Sequence, residues 1–514
     1  MPTRRASCKP FPDRVCAVIA TPTAAEALAQ IREALKSTRT LELRLDWLRS
    51  DRERSKLLKA LGRRKEKGVI FLATCRRILG GGRLEGGAEA ELYWLTQARE
   101  AGCTWCDLEI ETLRELPGQC ARAYPIPEKV LLSVHDFERT PKLPKRFAHA
   151  KCGEADAFKI AVKARALTDS LRVLRLARES RDVVAVPMGE VGLPARLLAL
   201  REGSALAYAP VQATTAPGQV SLHDFKRLYR ADLATRKTVI CGVIGNPIAH
   251  SLSPLLHNTG YVAAKRDAMF LPFLVENLGE FVRAIPEFGL RGISVTIPHK
   301  QTMVKYLDDC EPMAEKIGAI NTVAVSKSGK LRGSNTDYVG VLRALEGHLQ
   351  LGGARVVIFG AGGSARAAAF ALTNAGAEVL ICARREWAAR ELARACGAQV
   401  IARRHIASAS FELVVNATPV GMHPNEGVSP LAGQELNTQF VMDLIYRPMQ
   451  TQLLRIAAKK RIGAISGVEM FLAQGFAQWE LFMGRRAPEA AMRQAVLQRL
   501  RADESRASRP KSRP

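Results

Sequence analysis

The sequence predicts an α/β chain: a closed (β/α)8 barrel of the TIM type, then a two-part α/β unit ending in a Rossmann dinucleotide-binding fold. Three observations predict it. From Val15 to Ala209, short apolar runs alternate with stretches rich in Ala, Leu, Arg and Glu. A fresh apolar run, Val239-Ile240-Cys241-Gly242-Val243-Ile244, restarts the pattern, and a Gly-rich turn follows at Gly360-Ala361-Gly362-Gly363-Ser364-Ala365. Strands alternating with helices build parallel sheets, and eight such pairs in succession close into a barrel.

Taken in order, the barrel strands are expected at Val15 to Ala20, Leu41 to Leu45, Val69 to Cys75, Trp105 to Ile110, Val130 to Val134, Ala157 to Val162, Val183 to Met188 and Ala205 to Ala209. Arg44, Arg76, Glu109, His135 and Lys159 then fall at or beyond strand C-termini, the face on which such barrels carry their chemistry. Glu109 is open between a site residue and a strand-end charge. The basic stretch Phe225 to Lys237 reads as a closing helix and a connection. From Val239 to about Val325 comes an α/β region, followed by a βαβ series whose first strand is Arg355 to Phe359. In that series the turn Gly360-x-Gly362-x-x-Ala365 lets the backbone approach a pyrophosphate at a helix N-terminus, where free N–H groups and the helix dipole favour negative charge.

Composition bounds the alternatives. The chain has 514 residues, 47% apolar and 25% charged, an ordinary globular balance. No apolar run approaches the roughly 20 residues that span a bilayer. Met1 to Arg14 is basic with no hydrophobic segment behind it, so a secretory signal is not expected; a short organelle-targeting stub is the alternative. The 11 cysteines have no repeating spacing, which fits a reducing cytoplasmic setting, and Cys103 and Cys106 read as two small buried side chains at a strand start. No metal is expected. The net charge of +26 invites a nucleic-acid reading, but the basic residues are spread along the chain without a binding motif, so neither nucleic acid nor membrane is an expected partner. The oligomeric state is left open.

Two lysines carry the chemistry. Lys159 lies between Phe158 and Ile160 in an apolar run, a poor place for a purely solvated charge. Lys300 closes Val295-Thr296-Ile297-Pro298-His299-Lys300 ahead of the Gly-rich turn. A neutral lysine can form a Schiff base with a ketone, and the iminium is a stronger electron sink than the ketone itself. Nearby cations and partial desolvation are expected to depress its pKa.

The first half resembles the type I 3-dehydroquinate dehydratases. The matching motifs, in order, are Glu42-Leu43-Arg44-Leu45-Asp46, Ala73-Thr74-Cys75-Arg76, Glu85-Gly86-Gly87, Ser133-Val134-His135-Asp136-Phe137, Phe158-Lys159-Ile160, Met188-Gly189-Glu190 and Ala216-Pro217-Gly218-Gln219. The resemblance implies Lys159 as the imine-forming amine and His135 as acid and base, with Glu85 tuning it. It also implies substrate contacts from Glu42, Arg44, Arg76, Arg196 and Gln219, and from Thr215 where the family usually has serine.

The second half is similar to the shikimate dehydrogenases from about Val239 to about Arg486. The motifs are Gly245-Asn246-Pro247 through Ser251-Leu252-Ser253-Pro254, Val295 to Lys300, Gly318-Ala319-Ile320-Asn321-Thr322, Gly333-Ser334-Asn335-Thr336-Asp337, Asn416-Ala417-Thr418-Pro419-Val420-Gly421-Met422 and Gly467 to Gln474. This implies Lys300 and Asp337 as the catalytic pair. It implies substrate contacts from Ser251, Ser253, Thr296, Asn321 and Gln474. Cofactor contacts would come from Gly360, Gly362, Gly363, Ser364, Ala365, Arg384, Arg385, Thr418, Tyr446 and Gly467. Ile381-Cys382-Ala383-Arg384-Arg385 lacks the acid that would accept from a ribose hydroxyl, and arginine suits a 2′-phosphate, so NADP is the expected cofactor.

The expected domains are an N-terminal tail (1–14), a dehydratase barrel (15–230), a dehydrogenase substrate-binding domain (238–340) and a Rossmann NADP-binding domain (341–500). The last helix is expected to pack back on the substrate domain, ahead of a basic disordered tail (501–514). The resemblances together imply a fused enzyme that dehydrates 3-dehydroquinate to 3-dehydroshikimate and reduces this to shikimate. The alternatives are a dehydratase joined to a quinate dehydrogenase and a non-catalytic basic scaffold with degenerate sites.

Overall fold

A computed structural model describes residues 11, 13–63, 66–116, 118, 120–141, 155–212, 218–423 and 425–507. The chain forms two compact units, Met1–Thr238 and Val239–Pro514.

In the first unit, eight strands form one sheet: β1 (Val15–Ile19), β2 (Thr40–Arg44), β3 (Ile70–Thr74), β4 (Trp105–Glu109), β5 (Lys129–Asp136), β6 (Ala157–Lys163), β7 (Val183–Met188) and β8 (Ala207–Pro210). Each expected strand is present. All neighbours pair in parallel in the order β7-β6-β5-β4-β3-β2-β1-β8. The Ala205 N–H donates to Val183 O at 2.8 Å, joining the approach to β8 to the start of β7.

Because successive strand residues alternate in direction, Trp105, Asp107 and Glu109 share one face of β4, and Leu131, Ser133 and His135 share one face of β5. The lowest inward layer is apolar, built from Cys16, Leu72, Trp105, Leu131, Ala157 and Val184. Phe11 seals it, its ring 4.4 Å from that of Trp105. Two residues further along β3, β4, β5 and β6 the same face turns polar, at Thr74, Asp107, Ser133 and Lys159, and this carries the site. Cys103 and Cys106 flank the start of β4, both buried, and burial pushes the Cys103 thiol up to about 12.

The stretch expected as a closing helix is shorter than predicted: a single five-residue π-helical segment, Asp224–Leu228, seated by buried Phe225, with turns beyond it. Of the face expected to continue toward Lys237, only Tyr229 and Ala231 are buried beyond that segment, and Arg230 takes a positive φ of 51° that breaks the helix.

The second unit holds two sheets. The first contains β9 (Val239–Gly245), β10 (Ala268–Leu274), β11 (Leu290–Val295), β12 (Asp309–Cys310), β13 (Thr322–Val325) and β14 (Leu331–Ser334) in the order β10-β9-β11-β13-β14-β12. It is mixed, with β13 antiparallel to both neighbours. The second contains β15 (Arg355–Phe359), β16 (Glu378–Cys382), β17 (Gln399–Val400), β18 (Phe411–Asn416), β19 (Thr438–Asp443) and β20 (Gly463–Ser466). It is parallel throughout, in the order β17-β16-β15-β18-β19-β20. Along β15, Val356 and Ile358 enter one core and Val357 and Phe359 the other, so both faces are covered. The strand order reverses between β15 and β18, where such sheets open a ligand crevice.

Helix Thr336–Leu345 packs along helix Gly467–Met483, and the last helix, Glu489–Ala507, packs on helix Ser253–Ala263 of the first sheet. That last helix runs past Arg501, where composition reads as disorder. Asp503 pairs with Arg447 at 3.0 Å and with Arg499 one turn earlier at 3.1 Å, a tether that an absence of apolar residues does not reveal. Among the described residues no helix is long and apolar enough to cross a membrane.

Candidate active sites

The barrel site is built on the polar layer above the apolar floor. Lys159, on β6, is 4% exposed, and its Nζ is in ion-pair contact with Asp107 on β4 and 3.9 Å from Glu42 Oε1 on β2. Asp107 also accepts from Ser133 Oγ at 2.6 Å and from Arg76 at 3.4 Å. Burial works against the Asp107 charge, but the Lys159 and Arg76 cations and the Lys159 and Ser133 hydrogen bonds outweigh it and hold the carboxyl below its ordinary value. Glu42 accepts from Thr74 Oγ1 at 2.8 Å, and the Arg44 guanidinium grips Asp46 through two hydrogen bonds of 2.9 and 2.7 Å. Of the cations expected beside Lys159, Arg44 and Arg76 are therefore themselves paired with carboxylates, and Arg196 is not.

His135 lies above Ser133 on β5. Burial, reinforced by the charges of Arg76, Lys159 and Arg44, pushes its imidazole well below 6.5, so the ring is a neutral base. The carboxylate near it is Glu109, 3.6 Å from Nδ1 and 3.3 Å from Arg76 Nε. Burial, against the pull of Arg76, raises Glu109 to about 7. Glu85, the neighbour implied by the resemblance, is exposed instead. Glu109, left open between a site residue and a strand-end charge, is buried on β4 beside His135 and Arg76, under the turn at Gly80.

Arg196 hydrogen-bonds the carbonyl oxygens of Pro187, Gly189 and Gly218, and burial lowers its pKa to about 10. With Gln219 and Tyr208 it lines a small recess of about 40 Å³ between β7 and β8. Thr215 lies outside the described residues.

In the second unit, Lys300 follows β11 and its Nζ contacts Asp337 and, at 3.1 Å, the Ser364 hydroxyl. Asp337 occupies the first turn of helix Thr336–Leu345, whose cap Asn335 accepts from the Tyr338 N–H at 3.3 Å. The other Asp337 oxygen accepts from Asn321 Nδ2 at 2.8 Å, and that amide also lies 3.4 Å from Gln474 Oε1. Buried Gln478, which the motifs did not single out, ties the cluster to the sheet by donating to Asn321 O at 2.9 Å and accepting from Ser294 Oγ at 2.8 Å. The Ser253 N–H donates to Ser251 Oγ at 3.3 Å, and the Ser251 hydroxyl lies against the Tyr446 phenol, whose pKa burial raises. Thr296 sits at the exit of β11, its methyl filling the space over Gly245.

The Gly-rich turn fits a dinucleotide. Gly360 has a φ of +115°, and a side chain there would stand 2.9 Å from Ala417 O; Gly362 faces open space. The first bond of helix Gly363–Asn374 runs from Arg366 N to Gly362 O, leaving the N–H groups of Gly363, Ser364 and Ala365 for an anion. A Cβ on Gly363 would meet the Lys300 side chain at 2.9 Å, so turn and lysine are in contact. Thr418 is fixed by its hydroxyl to Asn416 Oδ1 at 2.7 Å, and Gly467 sits where a Cβ would strike Ile445 O at 2.6 Å. Arg384 and Arg385 are exposed beyond β16, Arg385 over the Trp387 ring at 5.4 Å.

The chain is 32% identical over 474 residues to the chloroplastic bifunctional 3-dehydroquinate dehydratase/shikimate dehydrogenase of Arabidopsis thaliana, covering 87% of this chain and 78% of that one. It belongs to that bifunctional family. Family models agree: type I 3-dehydroquinase over residues 15–235, the shikimate dehydrogenase substrate binding domain over 243–323 and the shikimate 5'-dehydrogenase C-terminal domain over 467–497. The bifunctional fusion also contains a stretch 38% identical to the shikimate dehydrogenase (NADP(+)) of Methanothermobacter thermautotrophicus, covering 53% of this chain and all of that one. A solved shikimate dehydrogenase in complex with NADP+ matches 52% of this chain and 98% of its own at 32% identity, with a TM-score of 0.49.

Proposed function

We propose that the first unit dehydrates 3-dehydroquinate to 3-dehydroshikimate and that the second reduces this ketone to shikimate with NADPH. The observation that supports the reading is an inward lysine in each unit, held by a carboxylate beside a second proton-handling group: Lys159 with His135, and Lys300 with Asp337 and Ser364.

In the barrel, Lys159 forms the imine with the substrate ketone, and neutral His135 removes the α-proton made acidic by the iminium. The resulting imidazolium protonates the departing hydroxyl, its charge facing Glu109 3.6 Å from Nδ1. Glu42, Arg44, Arg76, Arg196, Thr215 and Gln219 grip the hydroxyls and the carboxylate.

In the second unit, bound NADPH supplies a hydride. Gly360, Gly362, Gly363, Ser364 and Ala365 would hold its pyrophosphate, Arg384 and Arg385 its 2′-phosphate, and Thr418, Tyr446 and Gly467 its nicotinamide end. The chain's own part is proton delivery: Lys300 meets the developing oxyanion with a proton, and Asp337 keeps the ammonium aimed. Ser251 and Ser253 take the carboxylate, while Thr296, Asn321 and Gln474 take ring hydroxyls. The dehydratase assignment covers residues 15–230, the dehydrogenase substrate domain 238–340 and the nucleotide domain 341–500. A cytoplasmic setting is part of the proposal, supported by nine free cysteines among the described residues.

The full chain incubated with 3-dehydroquinate and NADPH should yield shikimate with matching loss of NADPH. NADPH loss only when 3-dehydroshikimate is supplied would refute the dehydratase half, and 3-dehydroshikimate accumulating beside unspent NADPH would refute the other.

A further inference from the structure

We propose that Asp107 is a catalytic residue of the dehydratase: it takes a proton from the Lys159 ammonium so that the amine can attack the ketone, then returns that proton to the carbinolamine hydroxyl as it departs as water. The proposal rests on the Schiff-base reading above and adds the group that reading leaves out. An ammonium has no lone pair to attack with, and the carboxylate in contact with it is Asp107.

The geometry supplies a dedicated partner. Asp107 is 1% exposed, on the inward face of β4 one layer above the apolar floor, and one of its oxygens touches Nζ itself. Its other oxygen is fixed by Ser133 at 2.6 Å. Glu42, the remaining carboxylate near Nζ, stands off at 3.9 Å and is engaged by Thr74.

The charged and titratable groups around the pair leave Asp107 as the acceptor. Arg76 shares Asp107 at 3.4 Å and also neighbours Glu109, while Arg44 is spent on Asp46. Burial raises the Cys16 thiol on β1 and the Tyr208 phenol on β8, and it lowers His135 on β5, so all three are uncharged.

The step balances. An N–H bond of the ammonium breaks as an O–H bond forms on Asp107. The freed lone pair makes the C–N bond while the carbonyl π pair moves to oxygen, and a second N–H proton passes to that oxygen to give the carbinolamine. The Asp107 proton then joins the hydroxyl, the C–O bond breaks, water leaves and the nitrogen lone pair closes the iminium. Ammonium and ketone have become iminium and water, and Asp107 is again a carboxylate beside the new cation.

The test is rapid-quench borohydride trapping on the full chain with 3-dehydroquinate, the adduct on the Lys159 peptide being read by mass across the neutral pH range. Wild-type trapping should be nearly independent of pH. Asp107→Asn, which keeps the shape and an oxygen for Ser133, should trap roughly a hundredfold more slowly at neutral pH. Its rate should rise with pH, because hydroxide must then take the ammonium proton in place of the carboxylate. Asp107→Glu should recover part of the rate and the flat profile. Trapping of Asp107→Asn at the wild-type rate, or a slower rate with the profile still flat, would overturn the proposal, the latter marking a purely structural role. If Asp107→Asn does not fold, Ser133→Ala serves instead. Without its hydroxyl donor Asp107 binds a proton more tightly, so the acid limb of trapping should move to higher pH, and an unmoved limb overturns the proposal. Absence of any wild-type adduct on Lys159 would instead remove the Schiff-base reading beneath it.

Discussion

His257 gives the reductase a built-in acid sensitivity whose size can be calculated. It lies on helix Ser253–Ala263 with none of its surface exposed, its ring stacked on Phe270 at 4.1 Å. Burial, outweighing the nearby Gln478 amide, pushes the imidazole from 6.5 down to about 3. The unfolded chain therefore binds a proton that the folded one refuses. The neutral ring costs nothing above pH 6.5, and stability falls as pH drops from there toward 3, by about 1.4 kcal/mol per unit once well below the unfolded value.

Between about pH 6.5 and about pH 4.5 the loss integrates to about 2 kcal/mol, a figure insensitive to the folded pKa so long as it stays below about 4. His257→Phe keeps an aromatic ring against Phe270 and removes the titration. Urea unfolding read by pulse proteolysis, with the two units followed as separate fragments, should show wild type losing about 2 kcal/mol more than the variant over that interval. Parallel losses in the two proteins would refute the reasoning, because they would mean that the ring takes up its proton while still folded.

Four further outcomes are expected. Glu109 ionises near 7, so dehydratase kcat/KM should bend near that pH, and Glu109→Gln should lower the activity and abolish the bend; a bend that persists would assign it to another group. Gly363→Ala brings a methyl to 2.9 Å from Lys300, so reductase kcat should fall by about tenfold to a hundredfold with dehydratase activity intact; unchanged kcat would mean that the lysine moves aside freely. Arg384→Ala should raise KM for NADPH far more than for NADH, since only one carries a 2′-phosphate; equal effects would place the selectivity at Arg385. Ser253→Gly should weaken shikimate use and narrow its lead over quinate, and a wider lead in steady-state comparison would contradict the carboxylate assignment.

The barrel strands were legible because each is a short apolar run between turns, and Lys159, His135, Lys300 and Asp337 because motifs enclose them. Asp107 was not, since Cys106-Asp107-Leu108 reads as an ordinary strand and only the pairing of both strands with β5 brings β4 within reach of β6. The same limit explains Glu85 and Glu109: the motif points to Glu85, whereas the inward column of β4 delivers Glu109 to His135. Gln478 lies on a helix apolar enough to hide it. The tether of Asp503 to Arg447 depends on two residues over fifty positions apart, which local composition cannot register.

The contact between Gly363 and Lys300 constrains how this reductase can diversify. One hydrogen atom on the turn, where any other residue has a side chain, leaves room both for a phosphate approaching the helix and for the lysine lying across it. Selection at that position acts on nucleotide affinity and proton delivery together and cannot tune one without moving the other. With the 2′-phosphate placed as proposed, beyond β16 at Arg384 and Arg385, coenzyme choice can change away from the lysine, and a laboratory effort to convert the enzyme to NADH should start its libraries there.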